Sequence, residues 1–311
     1  MRITFYDDYV LGVVTEGGIV DVSEVTTHIP AAHPQDVINA VIAGWTTYGP
    51  RIEAIAAAGS PVPLSSVRLR APLPRPQNID CMAVNYIEDI LPEAAPINGF
   101  LKSSSTVIGT GETFVLYDTP ATAFEAEPEL GIVIGKAGHR IAAADAFDHI
   151  FGYTNVIDGS ARGFPPHSNS FYQMKSQATS CPIGPTIVTK DEVPDPQALR
   201  VRMWNNGVLK NDFTTADMAH TIARCVEFVS HIHPVGPGDV IATGTNHGGL
   251  HALHDGDVLI LECEGLGQLI VNVQDDLRRT WDRRNVTERV AEGLPIAPPT
   301  QLTGKYAPAP A

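Results

Sequence analysis

What this chain has little of narrows the field first. Only four cysteines, Cys81, Cys181, Cys225 and Cys263, occur in 311 residues. They are widely scattered and none stands at CxxC spacing, so neither a zinc site nor a dithiol redox motif is signalled. Each sits among apolar neighbours, as a small buried side chain would. Cationic residues are scarce as well: Lys and Arg total 21 against 35 Asp and Glu, a formal charge of −14. Nucleic acid and anionic membrane surfaces both require a basic footprint, and this balance argues against both as partners. No apolar run is long enough to span a bilayer. The opening Met-Arg-Ile-Thr-Phe-Tyr-Asp-Asp lacks the basic start and apolar core of a signal peptide, and the expectation is a cytoplasmic, reduced protein.

What is present reads as a soluble globular chain, 43% hydrophobic and 18% charged. Residues 1–75 read as a small α+β lead domain. It has short strands around Asp7-Asp8 and Glu16-Gly17-Gly18, a helix opening at Pro34, and a second helix over Arg51–Ala58. A proline cluster (Pro61, Pro63, Pro72, Pro74, Pro76) marks the boundary. Residues 76–285 carry mostly strand signals, including a hairpin at Asn206-Gly207. Helices are expected over Ala142–Phe151 and Ala216–His231, the latter with a threonine cap. Residues 286–311 form a Pro/Ala-rich tail, either disordered or draped on a neighbouring chain. The fold class is α+β, predominantly β.

The most informative stretch is Phe124-Glu125-Ala126-Glu127-Pro128-Glu129-Leu130, which leads into the apolar run Gly131–Gly135. Side chains alternate along a strand, so three carboxylates share one face of an extended chain entering the interior. Such carboxylates are costly unless something positive meets them, and a divalent cation is one such partner; a solvated acidic loop is the other reading. A second stretch, Phe151 to Arg162, carries Asp158 ahead of Gly159-Ser160. That aspartate is either a turn residue bonding its own backbone or a carboxylate aimed into a cleft. Two glutamates and an aspartate with no Cys or His at ligand spacing form an all-oxygen donor set, which suits Mg²⁺, Mn²⁺ or Ca²⁺.

Taken together these segments resemble the fumarylacetoacetate hydrolase superfamily, in the right order through most of residues 72–275. The resemblance rests on Ala-Pro-Leu-Pro-Arg-Pro before a strand ending at Asn85-Tyr86, Phe100-Leu101-Lys102-Ser103, Glu127-Pro128-Glu129-Leu130, and Gly152 to Arg162. It continues through Met174-Lys175-Ser176, Pro182-Ile-Gly-Pro185, the Asn206-Gly207 hairpin and Pro237 to Thr245. It implies a mixed β-roll around a metal cleft, a homodimer, and metal ligands at Glu127, Glu129 and Asp158. Lys175 matches the family's active-site lysine, and Arg162 either clamps a substrate carboxylate or holds Asp158. Thr245, Tyr86 and Lys102 fall at substrate-binding positions. The implied chemistry is cleavage of a carbon–carbon bond in a 1,3-diketone or acylpyruvate-like keto acid, with a metal stabilising the enolate that leaves.

The departures from the family pattern concern the base. Where the family has a lid histidine followed by a glutamate, this chain has Asp89 and Pro92; the usual proline after Thr245 is replaced by Asn246-His247. A carboxylate from Glu88, Asp89 or Glu93, an imidazole from His247 or His167, or no protein base at all are the substitutes. The last suits decarboxylation of a β-keto acid, which needs no attacking water, or keto–enol isomerisation, which needs only modest proton transfer; an oxaloacetate-type decarboxylase or a 2-oxo acid isomerase or hydratase is the alternative reaction. A non-catalytic ligand-binding relative is the alternative of another class, opposed by retention of the triad with Lys175 and Arg162.

Overall fold

The structure, a computed structural model, describes residues 1–163 and 171–308; the base candidate His167 lies outside the described residues. Its spine is an antiparallel pair of long strands, Ala123–Ile134 and Ile150–Arg162, in register from Ala123 opposite Arg162 to Gly131 opposite Thr154. Nearly every residue of both strands is buried, so layers must cover both faces. Strand Cys181–Thr189 flanks the pair on one side, followed outward by Arg2–Tyr6, Val10–Thr15 and Gly18–Asp21. On the other side run Val240–Ala242, Ile79–Met82 and Gly99–Leu101, and Val107–Ile108 completes a ten-stranded mixed sheet. A second sheet of five strands runs in the order Val208–Thr214, Arg200–Asn205, Val258–Cys263, Leu269–Gln274, Thr113–Val115. The predominantly β, mixed architecture is the one expected.

The two faces of the long pair feed two cores. Leu130, Ile132 and Ile157 pack with Val201, Met203, Leu261 and Val271 of the second sheet. Val133 and Val156 pack with Ile3, Phe5, Ile38, Val41 and Ile52 of the lead segment, whose strands join the main sheet through Arg2 opposite Val188. The helix Pro34–Ala43 is capped by His33, whose ring accepts from the Gln35 N–H while Asp36 accepts from the His33 N–H. The next helix, Trp45–Ala58, starts ahead of the expected Arg51 and carries Pro50 inside it.

Two local expectations change. The helix expected from Ala216 begins only at Ile222, capped by Thr221, because Asn85 pins the preceding residues: its carbonyl accepts from Ala219 N–H and its side chain from His220 N–H. The segment Ala142–Phe151 holds a 3₁₀ stretch, Ala143–His149, before the chain becomes strand. The tail packs back on its own chain through a short helix, Val286–Ala291, with Val286 and Arg289 buried. Among the described residues no helix is long and apolar enough to cross a membrane.

Candidate metal-binding active site

The register of the long pair builds the site. Glu127 lies directly opposite Asp158, and Glu125 opposite Ser160. Period-two alternation then puts Glu125, Glu127, Glu129, Asp158, Ser160 and Arg162 on one face. Glu127, Glu129 and Asp158 each offer a carboxylate oxygen, and these atoms lie within 4.8 Å of one another. Gly159 follows Asp158 within a continuous strand and makes no turn. Its N–H donates to the Ser180 carbonyl at 2.8 Å, and a Cβ there would meet that oxygen and the Phe114 ring, each at 2.7 Å. Close approach by a neighbouring chain segment therefore demands the glycine, and it holds Asp158 against the residues that follow Lys175.

Three cations meet these carboxylates. Lys102 Nζ is fully buried and donates to Asp158 Oδ1 at 2.6 Å, to the Gly159 carbonyl at 3.1 Å and to the Lys175 carbonyl. Lys175, at the end of the helix Phe171–Lys175, donates to Asp158 Oδ2 at 2.5 Å and Glu127 Oε1 at 2.8 Å, and its ammonium lies 5.2 Å from the Phe100 ring centroid. Arg162 Nε donates to Glu125 Oε2 at 2.8 Å and its Nη2 pairs with Glu127. Arg162 thus holds the two glutamates rather than Asp158, and Glu125 is buried beside it. Burial opposes ionisation of Glu127, but Lys175 and Arg162 outweigh it and hold that carboxyl far below the usual range.

Glu129 is different. Its Oε2 accepts from the Gly244 N–H at 2.6 Å, while its Oε1 is buried with no hydrogen-bond partner among the described residues. Burial, reinforced by Asp158 and Glu127, pushes its carboxyl well above the usual range. Gly244 reaches this position in the left-handed region (φ +87°), clamped by Asn85, whose Nδ2 donates to the Thr243 carbonyl at 2.9 Å. Among the described residues, four carboxyl groups (Glu125, Glu127, Glu129, Asp158) against three cations leave one unmatched, Glu129, the one with the orphaned oxygen. An all-oxygen donor set with an unsatisfied buried acceptor and an unmatched carboxyl fits a hard divalent cation, whose charge would favour the ionised form.

The base candidates separate cleanly. Glu88 and Leu91 exchange backbone hydrogen bonds (3.1 and 2.8 Å), closing a four-residue turn whose corner throws Asp89 into solvent. Glu93 is exposed too, so neither reaches the triad. Glu88 turns inward. Its Oε1 lies 2.6 Å from His247 Nδ1 and its Oε2 accepts the His247 backbone N–H at 2.8 Å. These two residues come together across 159 positions of sequence, and His247 lines one cavity with Glu125 and Arg162. The sequence offered Glu88 and His247 as separate base candidates and did not signal that they pair. Thr245 is buried, with its hydroxyl 3.4 Å from the Asn246 carbonyl. Tyr86 packs edge-on against Phe213 and its buried hydroxyl has no partner among the described residues. His251 and His254 serve the fold, bonding Asn205 and the Trp281 N–H respectively.

A family model described as fumarylacetoacetate (FAA) hydrolase C-terminal matches residues 80–274. Maleylpyruvate hydrolase of Aquipseudomonas alcaligenes is 29% identical over 291 residues, covering 88% of this chain and 99% of that protein. Oxaloacetate tautomerase YisK of Bacillus subtilis is 38% identical over 194 residues, 60% of this chain and 64% of that one. Human mitochondrial oxaloacetate tautomerase FAHD2A is 32% identical over 269 residues, 83% of this chain and 84% of that one. Among solved structures, maleylpyruvate hydrolase from Sphingobium sp. SYK-6 in complex with manganese(II) ion and pyruvate superposes with a TM-score of 0.80 at 32% identity, covering 88% of this chain and 99% of that one.

Proposed function

The chain belongs to the fumarylacetoacetate hydrolase C-terminal family, and from that premise we propose that it is a divalent-metal-dependent enzyme that hydrolyses the carbon–carbon bond of an acylpyruvate-like keto acid. The observation that carries the hydrolytic half is the Glu88–His247 pair at the cavity shared with Arg162. Mg²⁺ or Mn²⁺ on Glu127, Glu129 and Asp158 supplies Lewis-acid charge, worth several kcal/mol where negative charge develops on oxygen.

The protein's own groups do the rest. An ionised Glu88 is an acceptor only, so Nδ1 of His247 carries the hydrogen and Nε2 is left to take a proton from water. The hydroxide adds to the acyl carbonyl, and the acyl–methylene bond breaks with its electron pair moving into the pyruvate enolate. That enolate takes back the proton from His247, so the products are a carboxylic acid and pyruvate. Glu88 stabilises the imidazolium in between. Lys175 holds Glu127 and Asp158 in place and presents a second positive charge to the anionic substrate, while Lys102 braces Asp158 from behind.

A second reading, tautomerisation of oxaloacetate, is favoured by the similarity to oxaloacetate tautomerases. It moves one proton between carbon and oxygen and consumes no water, so His247 serves it as well. The test is to follow pyruvate release from an acylpyruvate and the enol-to-keto conversion of oxaloacetate side by side, with Mn²⁺ and with excess chelator. Metal-dependent pyruvate release supports the first reading; metal-dependent tautomerisation without any release replaces it with the second.

A further inference from the structure

The family match stops at residue 274, yet the chain beyond it closes one side of the cavity above Arg162 and His247. This segment is held at both ends. At the start, the Val286 N–H donates to the Leu250 carbonyl at 3.1 Å and Asn285 caps the helix Val286–Ala291. At the far end, Leu302 and Thr303 exchange backbone bonds with Thr280, and Lys305 and Tyr306 both reach Asp118. Between these anchors the strap carries Ile296, Ala297 and Pro298 to the cavity, where they face Ile90, Leu91 and Leu250. Ile296 is 53% exposed and Leu91 38% exposed, an apolar rim left uncovered on two separate segments.

The cavity measures about 310 Å³, against roughly 150 Å³ for an apolar cavity that holds benzene. Its charged side chains are already engaged: Arg162 with Glu125 and Glu127, His247 with Glu88. Among the described residues no unpaired cation lines it. A carboxylate carried by the far end of a substrate would therefore enter without a partner, which is costly, whereas an apolar group would cover the exposed rim.

Resting on the keto-acid reading above, we propose that the strap is a specificity wall, with Ile296 its specificity-determining residue, and that it selects keto acids whose far end is an apolar branched or aromatic group over those ending in a second carboxylate. Continuity of the cavity with Arg162 and His247 commits its occupant to the substrate's own tail.

Binding can be read apart from turnover, using 2-oxo acids that lack the cleavable 1,3-diketone. Calorimetric titration of the Mn²⁺-loaded full chain with 4-phenyl-2-oxobutanoate and with 2-oxoadipate should give at least roughly tenfold tighter binding of the phenyl compound. Ile296→Lys, at a half-exposed position outside the catalytic groups, should narrow or invert that ratio while the circular dichroism spectrum is unchanged; Ile296→Val should preserve it. Equal or tighter binding of 2-oxoadipate by the native protein, or a ratio unmoved in Ile296→Lys, overturns the wall and leaves the keto-acid reading standing. Failure of both compounds to bind, with Mn²⁺ present, overturns that reading and the wall with it.

Discussion

Glu88→Gln is the most informative single change, because it alters the two contacts Glu88 makes with His247 and, on this account, none of the substrate. The Glu88–His247 contact is 2.6 Å and pairs a carboxylate with an imidazole that gains charge during the reaction. A charge-assisted bond is worth about 1.5–3 kcal/mol and a neutral one about 0.5–1.5 kcal/mol. With its single oxygen kept on Nδ1–H the amide retains a neutral bond there, its NH2 facing the His247 backbone N–H that Glu88 also bonds, so about 1–2 kcal/mol of imidazolium stabilisation is lost. At about 1.36 kcal/mol per factor of ten, kcat for pyruvate release should fall roughly 5- to 30-fold with KM nearly unchanged. His247→Ala removes the proton acceptor itself and should cost about 10²–10⁴. Glu88 acts through His247, so the double variant should be no worse than His247→Ala alone. The assay is steady-state pyruvate release from an acylpyruvate at saturating Mn²⁺. Native kcat in Glu88→Gln, or a double variant that loses the product of the two single effects, refutes the reasoning.

Other outcomes follow from the same geometry. Asp89→Asn and Glu93→Gln, both exposed, should leave kcat within about twofold of native, checked in the same assay. Lys102→Met strips one partner from a buried ion pair and should cost about 3 kcal/mol of stability, measured by urea unfolding, and weaken Mn²⁺ binding by loosening Asp158. Burial opposes ionisation of Asp257, but Arg283 and Asn205 hydrogen bonds outweigh it and hold its carboxyl below the usual range. A depressed folded-state pKa adds stability that is present above the unfolded carboxylate range and lost as pH falls through the folded value. Asp257→Asn should therefore cost about 2 kcal/mol at neutral pH and flatten the acid limb of the melting-temperature profile; an unchanged acid limb would tell against the assignment.

How far the sequence carried varied with the range of the interaction. The triad was legible through the family resemblance, which singled out Glu127, Glu129 and Asp158 where spacing left a solvated acidic loop open, and the structure brings the three together. Pairing Glu127 with Asp158 needs only an antiparallel return. The partner of Glu125 was not legible, because nothing local announces that Arg162, on the opposite strand, folds over the same face to meet it. The partner of His247 was out of reach for a different reason. Glu88, Asp89 and Glu93 share one short acidic segment, and only the Glu88–Leu91 turn decides which carboxylate points inward. Gly159-Ser160 looked like a turn, whereas the glycine answers to a distant carbonyl at Ser180. The C-terminal strap carries no periodicity at all. Its anchors at Leu250, Thr280 and Asp118 are far away in sequence, and two of them are backbone groups that composition does not reveal.

The central claim is that Glu127, Glu129 and Asp158 hold a divalent cation on which the activity depends. Its most direct test is calorimetric titration of Mn²⁺ into the native protein and into Glu129→Gln, which keeps the shape of the site and removes the carboxylate whose Oε1 is unpartnered. The account predicts about one ion per native chain and an affinity at least roughly a hundredfold weaker in the variant. Equal affinity in the two proteins, or full acylpyruvate cleavage by native protein in excess chelator, would contradict it.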